Sequence, residues 1–407
     1  MVPHDYSSRR CVVAHDGKTL TAAAKLSELP ALTGIRGFAA LWVLLFHAWG
    51  LAGAPHLLAD FGVFSFGVSY FFTMGWAGVD IFFTLSAFLL VLPFAAWQLG
   101  ARTKPLLREY FWRRVLRIFP AYYAQLFVLI ALAFFFQIGA MPQLGQFFAH
   151  LVLWLNMDWY WVPPMNGVWW TLPIECAFYL GLPLLVYALR PYRWPWLLCA
   201  ALICAISYRA IAFQLVSMDA RALVLEHLAA RIDQFVIGML AGYAFVAARL
   251  RGKISSASVL NALFLLALAG IVALRLWLRV GLSAYWNGEP IFWLWHSFAS
   301  VFIAMGLYAA AHAATVSSAL FANRLLRFLG EISFGVYLWH FLILSWLAPW
   351  FGIIESPDLR LLALLASAIP LTVVAAWLSY MLIERPFLRI ARKQTRHPAQ
   401  ATGVPSA

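Results

Sequence analysis

An arginine and a histidine stand eleven residues apart in the apolar run Leu32-Thr33-Gly34-Ile35-Arg36-Gly37-Phe38-Ala39-Ala40-Leu41-Trp42-Val43-Leu44-Leu45-Phe46-His47. At about 100° and 1.5 Å per residue this is three full helical turns, so both side chains fall on one stripe roughly 16 Å apart. With Arg36 near the helix end, His47 comes close to the middle of a hydrocarbon layer about 30 Å thick. Ionisable groups at that depth are costly and face the bundle interior or a wet cavity. A nearly neutral imidazole is the least expensive base to place there. His47 can take a hydroxyl proton during acyl transfer, or be acylated briefly itself. Its plain alternative is a buried histidine bonded to a neighbouring helix.

A second set lies in Arg108-Glu109-Tyr110-Phe111-Trp112-Arg113-Arg114-Val115-Leu116-Arg117-Ile118-Phe119-Pro120. Arg114 and Arg117, three apart, share a helix face where two guanidinium forks can grip a phosphate or pyrophosphate, with Arg113 beside them. As a positive-inside anchor the same cluster would only hold the helix end. The third set is Asn166-Gly167-Val168-Trp169-Trp170-Thr171-Leu172-Pro173-Ile174-Glu175. Here Glu175 enters the membrane from the outer side, about 9 Å along the helix from Trp169. At that depth a carboxylate can orient the His47 imidazole or polarise an acceptor hydroxyl; otherwise it makes a structural hydrogen bond. Weaker candidates are Asp80 and Ser86 on the second helix and His340, which rivals His47 in depth. Arg231 and Asp233 are expected to neutralise each other at an outer helix end, and Glu384 and Arg385 to do so at the last cytoplasmic boundary.

The elements that must position these groups follow from hydropathy. Of 407 residues 64% are hydrophobic and 11% charged, and the mean hydropathy is +0.82. An ordinary soluble globule is excluded. Apolar runs of spanning length occur near 34–52, 77–98, 118–138, 169–189, 195–216, 230–248, 258–279, 291–313, 329–350 and 361–383. They predict an all-α, polytopic membrane helix bundle of about ten transmembrane helices. Phe147 to Asn156 is too short to cross and reads as re-entrant or interfacial. With both termini cytoplasmic, the inner segments hold 22 lysines and arginines and the outer ones four: Arg221, Arg275, Arg279 and Arg360. That bias is the positive-inside pattern, and it explains the net charge of +13 without a nucleic-acid partner. Cys11, Cys176, Cys199 and Cys204 show no metal-type spacing, so neither a zinc site nor a disulfide framework is expected. Residues 1–30 read as a loosely ordered cytoplasmic tail, 31–388 as one membrane domain and 389–407 as a basic cytoplasmic tail. No internal repeat, Walker-type loop, paired broken-helix pattern or appended soluble domain is evident.

Taken together, the segments resemble the membrane-bound acyltransferase-3 family, which includes O-acetyltransferases of bacterial surface polysaccharides. The pieces are Leu32 to Gly37 with His47, Gly78 to Phe83, Arg114 to Tyr122, Trp170 to Glu175, Arg231 to Phe235, Ile332 to His340 and Ile383 to Pro386. They stand in the family's order from residue 32 to 388. The resemblance implies transfer of an acyl group, usually acetyl from acetyl-CoA, onto a hydroxyl of a glycan or lipid-linked sugar. It also implies that Arg36 and His47 match the essential first-helix pair and Arg114 and Arg117 the R-x-x-R motif. Two departures are Ser86-Ala87-Phe88 where Ser-Gly-Phe is usual, and Cys176 where an acidic or amide residue often follows the loop glutamate.

On this reading the enzyme is a multi-pass inner (cytoplasmic) membrane O-acyltransferase with no permanently bound cofactor and no metal. Acyl-CoA approaches from the cytoplasm, its phosphates near Arg113, Arg114 and Arg117 and its thioester extending toward His47, with Glu175 assisting from outside. The competing class is a transporter or flippase for glycolipids, which would also use intramembrane His, Arg and Glu. A third possibility is an acyltransferase for a small hydroxylated metabolite such as a macrolide sugar. Trp154, Trp159, Trp161, Trp169 and Trp170 suit stacking on sugar rings or form an interfacial aromatic belt.

Overall fold

The computed structural model describes residues 29–60, 65–155, 163–190, 192–217, 221–280 and 290–394. Most of both expected tails, and Trp159 and Trp161, lie outside the described residues. The apolar runs become helices: α1 Pro30–Leu51, a short α2 Ser69–Thr73, α3 Gly78–Gln98, α4 Leu107–Phe136, α5 Leu144–Leu151, α6 Thr171–Ala188 and α7 Trp194–Leu215. A single turn α8 Arg221–Val224 precedes α9 Ile232–Leu250, α10 Ala257–Val280, α11 Pro290–Ala311, α12 Thr315–Phe321, α13 Arg324–Glu331, α14 Ser333–Leu347, α15 Pro357–Ser379 and α16 Arg385–Gln394. Among the described residues nine helical stretches are long and apolar enough to cross a membrane. The pair α13 and α14, bent by 78°, supplies a tenth if counted as one span. The chain is therefore a multi-pass membrane helix bundle. Among the described residues the strands are limited to a two-stranded antiparallel hairpin, β1 Leu58–Asp60 against β2 Ser65–Gly67. Half of the Phe147–Asn156 segment, Phe147 to Leu151, lies on α5, an eight-residue helix too short to span, and Asn156 lies outside the described residues.

Close helix contacts are made where side chains are missing. Gly238 and Gly242, one turn apart on α9, lie against α3: a Cβ on either would stand 2.3 Å from the Thr84 carbonyl oxygen or 2.5 Å from that of Phe88. Small residues at this spacing let backbones approach, which drives helix association where lipid offers no hydrophobic gain. The Ala87 methyl, where the usual motif has glycine, meets α9 opposite Gly238. The same device joins α1 to α13. A Cβ on Gly37 would stand 2.2 Å from the Leu326 oxygen, and one on Gly330 1.9 Å from that of Thr33. Around these seams the buried aromatics Phe83, Tyr122, Trp169, Phe178 and Phe235 form a core shared by α3, α4, α6 and α9.

Two expected ion pairs are replaced by others. Arg231 does not pair with Asp233: its Nη1 lies 3.1 Å from Asp80 Oδ1 and 2.7 Å from His296 Nδ1. Asp233 instead accepts from Arg209 Nη2 and from the Ser297 hydroxyl. Arg231 is the N-cap of α9, outside the helix, whereas Asp233 lies in its first turn, so the two side chains leave the chain toward different neighbours. Arg209 and Asp233 are both fully buried and bond further: Arg209 donates Nη1 to the Trp293 carbonyl at 2.6 Å and Nε to the Ala205 carbonyl at 3.0 Å, and Asp233 Oδ1 accepts the Gln234 N–H at 2.9 Å. Likewise Glu384 does not pair with Arg385. A π-helical turn, Tyr380–Glu384, carries it inward to Arg117 Nη1 at 3.2 Å, while Arg385 turns to Met381 Sδ at 3.4 Å.

Leaving one charge of a buried pair uncompensated costs about 3–5 kcal/mol. We expect Asp233→Asn to lower stability by that order in detergent unfolding experiments, and Arg209→Met to recover most of the loss in the double mutant. Arg231→Met combined with Asp233→Asn should simply add. Gly242→Val should cost about 1–3 kcal/mol by overpacking. Gly181→Ala, at a site with open space around it, should be neutral or stabilising by up to about 1 kcal/mol.

Candidate active site

The first turns of α4 begin at a loop and carry Arg113, Arg114 and Arg117 along one side, as the three- and four-residue spacing requires. That side faces a cavity of about 500 Å³ enclosed by α1, α3, α4, α6, α14 and α16. Arg36, Arg113, Arg114, Arg117 and Glu175 all line it. Five of the six residues singled out by type and spacing thus meet at one cavity. His47 is not among its lining residues.

The arginines are not equivalent. Arg36 donates Nε to the Gly330 carbonyl at 2.9 Å, a contact that depends on the bare approach of α13 to α1. Arg117 is held by Glu384, whose side chain is 1% exposed, and lies over the Phe334 ring. Arg113 makes a loose pair with Glu109 at 3.6 Å on the more exposed side. Arg114 sits over the Tyr179 ring, its guanidinium carbon 5.8 Å from the centroid. The Nε atoms of Arg113 and Arg114 are buried with no hydrogen-bond partner among the described residues. Four guanidinium groups on the wall face one lining carboxylate, with Glu384 behind Arg117. The cavity is thus electropositive and suits an anion, and planar forks suit phosphate oxygens.

Glu175 stands on the first turns of α6, where Tyr179, one turn on, donates its phenol to Oε2 at 3.0 Å. Ser86 of α3 donates to Oε1 at 3.4 Å. Beside it Thr171 donates to the Tyr337 hydroxyl at 3.1 Å, and Tyr337 donates to the Val168 carbonyl at 2.9 Å. Tyr179, Thr171 and Tyr337 all line the cavity. They were not singled out in the sequence, although the spacings Glu175 to Tyr179 and Tyr337 to His340 place each on the same helix face as a candidate.

His47 and His340, weighed as rivals, are neighbours: their ring centroids are 5.3 Å apart. His47 also lies 4.9 Å from Phe341. His340 in turn lies 5.7 Å from Tyr337, so a series of three rings runs from the cavity wall to His47. Asp80 belongs to the buried Arg231 and His296 network instead. Trp169 is fully buried and donates Nε1 to Gln125 at 2.8 Å, so it offers no face to a sugar. Trp154 is 53% exposed. Among the described residues no group of three His, Cys, Asp or Glu side chains is placed to hold a metal ion.

The chain is similar to the exopolysaccharide production protein ExoZ of Rhizobium meliloti (strain 1021), 27% identical over 339 residues that cover 79% of this chain and 92% of that one. It is also similar to the O-acetyltransferase OatA of Staphylococcus aureus (strain NCTC 8325 / PS 47), 23% identical over 389 residues. That likeness covers 91% of this chain but only 59% of the staphylococcal protein. No solved structure matches the chain. Residues 29–382, nearly all of the described helical body, match the family model described as an acyltransferase domain, and this multi-pass chain belongs to that acyltransferase-3 family.

Proposed function

We propose that the protein is an integral membrane O-acyltransferase that moves an acetyl, or other acyl, group from acyl-CoA to a hydroxyl of a glycan or lipid-linked sugar at the inner membrane. The observation that carries this reading is one electropositive cavity, of the few hundred cubic ångströms typical of ligand sites, in a chain of the acyltransferase family. ExoZ, described as an exopolysaccharide production protein, and OatA, described as an O-acetyltransferase, support a saccharide acceptor and an acetyl donor.

The donor phosphates bind Arg113 and Arg114, whose Nε atoms are buried without partners, with Arg117 and Arg36 adding charge. With both termini cytoplasmic, this mouth opens where CoA is found, and residues 31–388 form the working domain between two cytoplasmic tails. The acyl end points toward Glu175, Thr171 and Tyr337. Because Tyr337 and His340 stand between this wall and His47, the Tyr337 phenol swings aside for the thioester to pass. The acceptor hydroxyl then loses its proton to His47 as its oxygen attacks the thioester carbon. The C–S bond breaks, and the thiolate leaves as thiol with the proton that His47 returns. In the covalent variant a His47 nitrogen attacks the thioester carbon and expels the CoA thiolate; the hydroxyl then takes the acyl group from the imidazole, and its proton passes to the thiolate. Glu175, held by Tyr179 and Ser86, orients the reacting groups.

Purified protein incubated with labelled acetyl-CoA and acceptor should incorporate label into the glycan; a transporter would incorporate none. His47→Ala should lower kcat by about 10²–10⁴-fold, the range of a lost general base. Arg114→Ala should raise the KM for acetyl-CoA about tenfold or more while changing kcat little, as expected for lost ground-state binding. If both variants transfer acetyl at the normal rate, the site is elsewhere. Mass spectrometry of cell-surface glycans with and without the gene should show loss of an acetyl ester in its absence.

A further inference from the structure

We infer that His340 is the positioning residue for His47: it accepts an N–H from that imidazole and so leaves the opposite nitrogen of His47 with a free lone pair. This rests on the acyl-transfer role proposed for His47. His340 lies on α14, fully buried, and its Nδ1 is 3.1 Å from the Val336 carbonyl one turn back. A carbonyl oxygen can only accept, so Nδ1 carries the hydrogen, and in the neutral ring Nε2 is a lone-pair acceptor. That Nε2 is buried without a hydrogen-bond partner among the described residues.

A buried acceptor without a donor is a rare arrangement that asks for one. His47 presents a ring 5.3 Å away between centroids, tilted by 36°. At that spacing the two rings are within reach of an N–H to N hydrogen bond, whose donor and acceptor stand roughly 3 Å apart. The backbone around His340 is fixed, since Gln125 and Asn166 both donate to the Leu338 carbonyl, at 2.6 and 3.1 Å. The Val336 carbonyl therefore sets the tautomer of His340, and His340 sets that of His47. A carboxylate would fix the tautomer equally well but would add a charge. A neutral imidazole orients without one, in a part of the bundle where charge is expensive.

The test compares His340→Leu, which keeps bulk and removes the acceptor, with His340→Gln, which keeps an acceptor near Nε2. His340→Leu should lower kcat about 10–100-fold, as loss of a group that orients a reactive histidine does, with the KM for acetyl-CoA unchanged. His340→Gln should restore kcat to within a few-fold of the wild type. Nitrogen-15 NMR of histidine-labelled protein should show His47 as a single tautomer in the wild type and in His340→Gln, and as a mixture in His340→Leu. Wild-type turnover in His340→Leu, or a Gln variant no better than Leu with the His47 tautomer unchanged throughout, would overturn the inference. The two readings fail separately. Normal activity in His47→Ala overturns the acyl-transfer role, whereas the nitrogen-15 signals report the histidine pair without any turnover.

Discussion

A charge drawn out of water into a hydrocarbon-facing bundle has to find its counter-charge and its hydrogen bonds within the protein, and this requirement organises the whole chain. Arg209 meets Asp233, Arg231 meets Asp80, and Arg117 meets Glu384, each pair joining helices remote in sequence. Such pairs add little net stability over a packed apolar core, but breaking one is costly, so each fixes the registry of the helices that contribute it. The first two hold α3, α7, α9 and α11 together on one side. The third ties α4 to the π turn before α16 and so closes one wall of the cavity. Arg36 and Arg114 enter none of these ion pairs among the described residues, and together with Arg113, only loosely paired with Glu109, they mark where a ligand's charge can be received.

Helix α1 divides the interior. Glycine on both sides of its contact with α13 brings the backbones close enough for Arg36 to reach the Gly330 carbonyl, which aims that side chain at the arginine cavity. A third of a turn away, Ile35, Phe38 and Trp42 line a second cavity of about 940 Å³, mostly apolar and shared with α10 and α11. One helix thus separates a cationic chamber from a greasy one, and the division follows from its sequence. The stripe of positions 36, 40, 43 and 47 differs from the stripe of 35, 38 and 42 by roughly the 100° between neighbouring residues.

The helices were legible in the sequence because membrane spans are written in length and hydropathy, two quantities that need no knowledge of neighbours. The ten apolar runs reappear with ends shifted by a few residues, except that α4 starts eleven residues earlier, at Leu107, because its charged first turns are helical too. Arg36, Arg114, Arg117 and Glu175 could be picked out for a related reason: a charge in or beside an apolar run is conspicuous. What could not be read is pairing. Arg231 and Asp233 look like partners on paper, yet Arg231 caps α9 with a non-helical backbone while Asp233 lies inside its first turn, and each reaches a partner on another helix. Glu384 closes a π turn that hydropathy does not signal, and it pairs with Arg117 rather than with the adjacent Arg385. Trp169 and Trp154 look alike in composition, but one is in the core and the other is half in the open. The contact of His47 with His340 could not be read either, since it depends on how α1 and α14 cross.

The separation of the arginines from His47 has its own physical logic. A guanidinium cluster creates a field that favours anions and disfavours a second cation nearby. On the role proposed for His47, an imidazole on the cavity wall beside four guanidinium groups would resist taking up the proton that a base must accept. Removing His47 from that wall, by the width of Tyr337 and His340, weakens the repulsion, while the ring series keeps the two regions in touch. A neutral acceptor behind the imidazole then completes the arrangement. It fixes the tautomer without the buried carboxylate that a water-exposed triad can tolerate and that a lipid-embedded bundle would have to neutralise with yet another arginine.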